Sequence, residues 1–258
     1  DDVLRPLILG LLLGLAVFLA ATVKDWPVKQ PSPRVKAHAH SVEALYDASP
    51  WWCHIQVDGN DWLATSANTV RLRELVSTSD KELVLPVFPT VYKPNNVDRL
   101  YYQSLLESGI ACGDKVLVVG TGSGCDAWVA WLKSQSLVYV IDINPMAIAN
   151  TKATARLGGF EVRALLGDIC EVDLPDDFQE FDFVLWNMPF LNSGDRANFH
   201  DGDDGRILKG FLTLLPSLLK QGGQAILLNT ADAAEFISLP HTAKRDEGEY
   251  VVYIIAKS

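Results

Sequence analysis

An α/β fold built on a parallel sheet is what this sequence predicts, and three observations predict it. Short apolar runs, KVLVV, LVYVI, FDFVLW and QAILLNT, recur with helix-length segments between most of them. Runs apolar on both faces belong to strands that helices cover from either side, joined by βαβ crossovers. A glycine-rich turn, Gly120-Thr121-Gly122-Ser123-Gly124, directly follows the first run, and the chain ends in a hairpin pattern that closes with YVVYIIA.

Taken in order, residues 98–108 have helical period and 115–119 form the first strand of the alternation. A helix then runs to Leu132, followed by a strand over 137–141, a helix over 145–157 and a third strand over 162–166. Residues 181–186 are the fourth strand, about 205–219 a helix and 224–230 the fifth strand. A short helix over 231–237 leads into the closing strand at 250–256. Residues 41–85 read as a small N-terminal entry region. There CHIQV and WLATS flank Asp58-Gly59-Asn60-Asp61, a turn signal between two strand-like pieces, hence a hairpin. VRLRELVS predicts a short helix and LVLPVFPTVYKP an extended approach. Trp51, Trp52 and Trp62 are expected to pack this region onto the main domain.

The first 23 residues have a different character. Leu7 to Val23 is a run of 17 residues without a charge, the lower limit for a helix that crosses a bilayer. Lys24, Lys29, Arg34 and Lys36 follow it and only Arg5 precedes it, which places the downstream chain in the cytoplasm. Residues 1–23 therefore predict a transmembrane anchor, and 24–40, with three prolines, a juxtamembrane linker. His38 and His40 fall at the end of that linker and read as exposed. The chain opens at Asp rather than Met, so further residues upstream are expected.

Composition narrows the function classes. A 258-residue chain that is 48% hydrophobic and 21% charged has the make-up of a globular domain, not of a disordered or collagen-like one. Its net charge of −10, from 22 Lys+Arg against 32 Asp+Glu, disfavours a nucleic-acid partner held by bulk charge. Cys53, Cys112, Cys125 and Cys170 are scattered without a CxxC and read as reduced thiols. Asp195, Asp201, Asp203 and Asp204 crowd a segment with His200 that reads as a solvated loop, so no metal is expected.

Chemistry-bearing residues collect at the strand ends. The glycines after the first strand let a ligand approach the backbone at a helix N-terminus. Asp142 ends the second strand, 22 residues after Gly120, where an acid can take a ribose diol. Gly167-Asp168-Ile169 ends the third strand, and Asn187-Met188-Pro189-Phe190 ends the fourth. Asp98, just ahead of a helix, reads most simply as an N-cap.

VLVVGTGSG, VIDINP, LLGDI and the N-x-P-F tetrapeptide together resemble class I S-adenosylmethionine (SAM) methyltransferases, in the branch that includes HemK-type glutamine methyltransferases and the RNA and DNA amino-methyltransferases. The resemblance covers residues 86–258 and extends to Val91-Tyr92-Lys93-Pro94 and Asp203-Asp204-Gly205. It implies a Rossmann-like seven-stranded sheet with an antiparallel last strand. It also implies that Gly120, Thr121, Gly122 and Gly124 cradle the methionine part of SAM, with Asp142 on the ribose and Ile143 against the adenine. Asp168 would accept from the adenine amine beside Ile169. Asn187, Pro189 and Phe190 would hold a planar nitrogen in line with the methyl donor, Asn187 also bordering the cofactor. The chain departs from N-P-P-[FY] at Met188, which keeps the backbone carbonyl and loses the rigidity of one proline. The expected activity is methyl transfer to an amino or amide nitrogen of a protein or small molecule by a membrane-anchored enzyme with a cytoplasmic catalytic domain. The alternatives are a non-catalytic SAM-fold scaffold, a nucleic-acid amino-methyltransferase and transfer of another group such as aminopropyl.

Overall fold

A computed structural model of the chain describes residues 54–57, 60–63, 68–71, 84–88, 91–95, 98–189, 205–245 and 249–257. The expected anchor over 1–23, the linker over 24–40 with His38 and His40, Trp51, Trp52 and the acidic segment from Asp195 to Asp204 lie outside the described residues. Among the described residues no helix is long and apolar enough to cross a membrane.

Two short sheets precede the main one. β1 (His54–Val57) pairs antiparallel with β2 (Asn60–Leu63), His54 opposite Leu63, which is the hairpin expected around the Asp-Gly turn. β3 (Asn68–Arg71) pairs antiparallel with β4 (Val84–Val87), Val70 opposite Leu85. Val70 and Arg71, the first two residues of the helix expected over VRLRELVS, are strand, and the remaining six, 72–77, lie outside the described residues. β-branched Thr69 and Val70 suit a strand, and each has a pairing partner in β4.

The main body begins at α1 (Arg99–Glu107) and alternates as the apolar runs require. β5 (Val116–Val119) leads to α2 (Cys125–Ser134), β6 (Val138–Asp142) to α3 (Pro145–Gly158), and β7 (Val162–Leu166) follows. After β8 (Phe181–Asn187) come α4 (Arg206–Leu218), β9 (Leu219–Thr230) and a 3₁₀ turn at Ala231–Glu235, where the sequence predicted a short helix. β10 (His241–Arg245) and β11 (Tyr250–Ala256) form the closing hairpin. α3 shows how local chemistry sets a boundary. Asn144 accepts from the Met146 N–H at 2.9 Å, Pro145 takes the first turn, and Gly159 ends the helix at φ +71°.

The seven strands lie in the order β10-β11-β9-β8-β5-β6-β7. β5 to β9 are mutually parallel, and β11 enters antiparallel between β9 and β10. β9 starts five residues earlier than expected. Its polar, glycine-containing opening looks like a turn, yet Leu219 pairs with Phe181 across a register irregularity, and Gly222 N–H donates to Lys257 O at 3.0 Å.

Side chains divide by strand parity, save at the β8 irregularity, where Phe181 and Phe183 enter different cores. Val116, Val118, Phe183, Leu185, Ile226, Leu228 and Val252 join one core with Tyr101, Leu105 and Trp128 of α1 and α2. Leu117, Val119, Val184, Trp186, Leu227, Val251 and Tyr253 join a second with Phe211 and Leu215 of α4. Period-two strands between two helix layers have both faces buried, and each full aliphatic or aromatic burial contributes about 1.5–3 kcal/mol.

Candidate active site

The chain leaves β5 toward β6 and β7 on one side and returns through β8 and β9 on the other. Ligands of open parallel sheets bind at such a switch point, beyond the carboxyl ends of the strands. The glycine turn after β5 and the tetrapeptide after β8 both stand there.

The turn is anchored at both sides. Gly120 and Thr121 N–H groups donate to Ile141 O at 2.8 and 3.3 Å. Gly120, Gly122 and Gly124 have φ of +61°, +53° and +83°. Side chains are excluded at the outer two: a Cβ on Gly120 would stand 2.7 Å from Trp186 Nε1, and one on Gly124 would stand 2.9 Å from Thr151 Cα. Helix α3 ties the turn down from below, as Thr151 Oγ1 donates to Gly122 O at 3.2 Å and Thr154 Oγ1 to Ser123 O at 2.6 Å. The buried Thr121 hydroxyl faces Thr151 Oγ1 at 2.9 Å and its carbonyl accepts from Gly124 N–H at 2.9 Å, so its polar groups shape the turn itself.

Asp142 sits at the end of β6 with 9% of its surface exposed. Its Oδ2 accepts from Gly122 N–H at 3.0 Å and its Oδ1 from Asn144 N–H at 2.8 Å. Burial pushes its pKa up to about 6, against the pull of the Gly122, Asn144 and Ile143 N–H groups. Each oxygen keeps a lone pair for a further donor. Ile143 beside it is 69% exposed, a bare aliphatic surface of the sort a flat aromatic ring covers. Asp168 follows β7, its Oδ1 accepting from Cys170 N–H at 2.9 Å. Ile169 is buried in the second core with Phe178, so its side chain supports the loop from inside.

Asn187 ends β8, and its carboxamide is oriented. Its Nδ2 donates to Asp98 Oδ1 at 2.8 Å. Asp98 is fully buried and also accepts from Asn95 N–H at 2.7 Å and from Tyr92 O–H at 3.2 Å. Burial raises its pKa, opposed by the bonds from Asn95, Asn187 and Tyr92. This corrects the N-cap reading: the Asp98 side chain makes no capping bond to α1 and spends its acceptors on the loop ahead and on Asn187. Tyr92 and Asn95, linked by Asn95 Nδ2 to Tyr92 Oη at 2.8 Å, complete the network. The Val-Tyr-Lys-Pro segment hinted at Tyr92, but pairing across 89 residues leaves no local periodic trace. Pro189 is half-buried, and Phe190 lies outside the described residues.

A glycine hollow after β5, a carboxylate and an exposed aliphatic at the end of β6 and an acid after β7 fit SAM. A Cβ on Gly122 would stand in open space, with Gly120 O the nearest atom at 3.8 Å, so the turn leaves a hollow for a ligand. Gly120, Gly122 and Gly124 would hold the methionine part, Asp142 the ribose hydroxyls, Ile143 the adenine face and Asp168 the adenine edge. When bound, SAM supplies an electrophilic methyl group on a sulfonium.

Strand order and site together define a class I SAM-dependent methyltransferase. A family model described as "Methyltransferase domain" matches residues 110–254, more than half of the chain, and the chain belongs to this family as a HemK-like class I SAM-dependent methyltransferase. Mus musculus "Methyltransferase HEMK2" is 30% identical over 159 residues, which is 56% of this chain and 74% of that protein. The "Release factor glutamine methyltransferase" of Rhodospirillum rubrum is 35% identical over 103 residues, 37% of this chain and 30% of that protein. Among solved structures, a Thermus thermophilus 16S rRNA methyltransferase in complex with AdoMet and guanosine superimposes with a TM-score of 0.59. It is 18% identical and covers 75% of this chain and 50% of its own, a likeness of fold.

Proposed function

We propose that this enzyme transfers the SAM methyl group to a planar amide nitrogen, with a protein glutamine side chain as the acceptor. One observation carries the reading. The Asn187 N–H₂ group is committed to the buried Asp98 carboxylate, which leaves Asn187 Oδ1 as an acceptor at the end of β8. An amide nitrogen is a poor nucleophile because its lone pair is delocalised. Asn187 Oδ1 and the carbonyl of residue 188 would each accept one of its N–H groups. The nitrogen is then held with its lone pair toward the methyl carbon. Orientation of this kind is worth orders of magnitude, and the Asp98 charge behind the carboxamide strengthens its oxygen as an acceptor. The nitrogen lone pair would take the methyl carbon as the carbon–sulfonium bond breaks and S-adenosylhomocysteine leaves; the two oxygens would stabilise the positive charge gained by nitrogen, which then would lose one proton to solvent. Phe190 would stack on the flat amide. Relatives named as release factor glutamine methyltransferases support a protein amide over a small amine.

The proposal includes membrane attachment through the uncharged run Leu7 to Val23, with the catalytic domain in the cytoplasm on the side of Lys24, Lys29, Arg34 and Lys36. The test uses the full chain in mild detergent with methyl-labelled SAM. Peptide release factors, glutamine-bearing peptides, amine metabolites and RNA are offered in parallel. Label on a glutamine side-chain nitrogen is the expected result. Label on RNA or small amines alone would overturn the acceptor assignment, and release of the chain from membranes by alkaline carbonate would overturn the anchor.

A further inference from the structure

Position 188 is where this chain replaces a proline of the N-P-P-[FY] pattern by methionine, and the structure shows what stands in for the lost ring. Met188 N–H donates to Leu228 O at 3.2 Å. That bond continues the parallel β8–β9 ladder one step past its last pair, Asn187 opposite Leu228. Proline has no N–H and cannot make it. The Met188 side chain is buried at 3% exposure, and Asn229 Nδ2 donates to its sulfur at 3.8 Å. Asn229 is itself buried, and its Oδ1 accepts from Thr230 N–H at 2.8 Å, which turns its N–H₂ group toward the thioether.

We propose that Met188 is a positioning residue. Two attachments to β9, one from its N–H and one at its sulfur, aim its backbone carbonyl and the neighbouring Asn187 in place of proline rigidity. The inference rests on the amide-acceptor reading for its kinetic consequence, though not for the attachment itself. Restoring the pattern by Met188→Pro therefore lowers activity here. It removes the ladder bond and leaves the buried Leu228 carbonyl without that donor, and a misplacement near 1 Å costs roughly 10²-fold in rate.

The experiment uses the full chain and two variants. Met188→Pro is expected to bind SAM within about threefold of wild type, because the glycine turn hangs on β5 and α3, and to lose on the order of 10²-fold in kcat on a glutamine peptide. Met188→Leu keeps the N–H and recovers most of that loss. In wild type the Met188 amide hydrogen is expected to exchange far more slowly than a solvent-exposed one. A Met188→Pro enzyme as fast as wild type overturns the inference, and so does free exchange at Met188. Should Met188→Pro lose SAM binding by failing to fold, Met188→Leu and the exchange rate still decide: Leu as slow as tenfold or more below wild type, or an unprotected amide, sinks it. Should wild type methylate no glutamine acceptor, the acceptor assignment fails, and protection of the Met188 amide alone decides this inference.

Discussion

Replacing Gly124 by alanine tests whether the glycine turn is shaped by packing from beneath or only by its own backbone. Gly124 has φ of +83°, and an added Cβ would meet Thr151 Cα and Thr154 Cβ, both at 2.9 Å. The first is a helix backbone atom and cannot swing aside. Gly113 is the matched control: φ is +95°, and its added Cβ would meet nothing within 4 Å. Left-handed backbone costs an L residue about 1–2 kcal/mol, and lower unfolded-state entropy returns about 0.4–1 kcal/mol, so Gly113→Ala is expected to lose about 1 kcal/mol. Gly124→Ala carries the same penalty plus overpacking of about 1–3 kcal/mol. A domain of this size loses roughly 2–4 °C in Tm per kcal/mol, which puts Gly124→Ala about 2–12 °C below Gly113→Ala. Thermal unfolding followed by circular dichroism measures it, with SAM calorimetry alongside. Equal melting temperatures for the two variants would refute the claim that α3 holds the turn in shape.

Four further outcomes follow from the site and the core. Asp142 accepts from both hydroxyls of a diol most strongly when ionised, and its pKa is raised to about 6, so SAM affinity should fall as pH drops through 6; Asp142→Asn should bind weakly with a flat pH profile, checked by calorimetry. The same raised carboxylate pKa makes ionised Asp142 a cost to the fold, so its contribution to stability declines as pH rises from the ordinary carboxylate range through about 6. Asn187→Ala should lower kcat by about 10²–10³-fold with little change in SAM affinity, and Asp98→Ala should lower it in the same direction by freeing the carboxamide; steady-state kinetics on a glutamine acceptor separates the two terms. Leu105→Ala, at a fully buried contact between α1 and the sheet, should destabilise by about 2–5 kcal/mol in urea unfolding.

Much of the site was legible because its parts are local. Gly120, Gly122 and Gly124 must accept positive φ within one turn, and Asp142, Asp168 and Asn187 each stand at the end of a largely apolar strand. Asp98 was misjudged for the opposite reason. An acid before a helix is an N-cap by local rules, and only the approach of β8 supplies the Asn187 amide that claims it. That Val70 belongs to a strand was hidden likewise, because Leu85 lies opposite it only in the folded chain.

The sequence by itself therefore determined the βαβ alternation, the glycine turn and the acids that border it, since short-range sterics and hydrophobic period dictate all three. Tertiary structure alone decided which way the Asn187 carboxamide faces, what Met188 is tied to and which atoms close around the glycines. Those depend on contacts between residues far apart in the chain, Asp98 with Asn187, Met188 with Leu228 and Gly124 with Thr151. Such pairs exist only once the sheet order has brought β5, β8 and β9 side by side, with α1 and α3 packed against them.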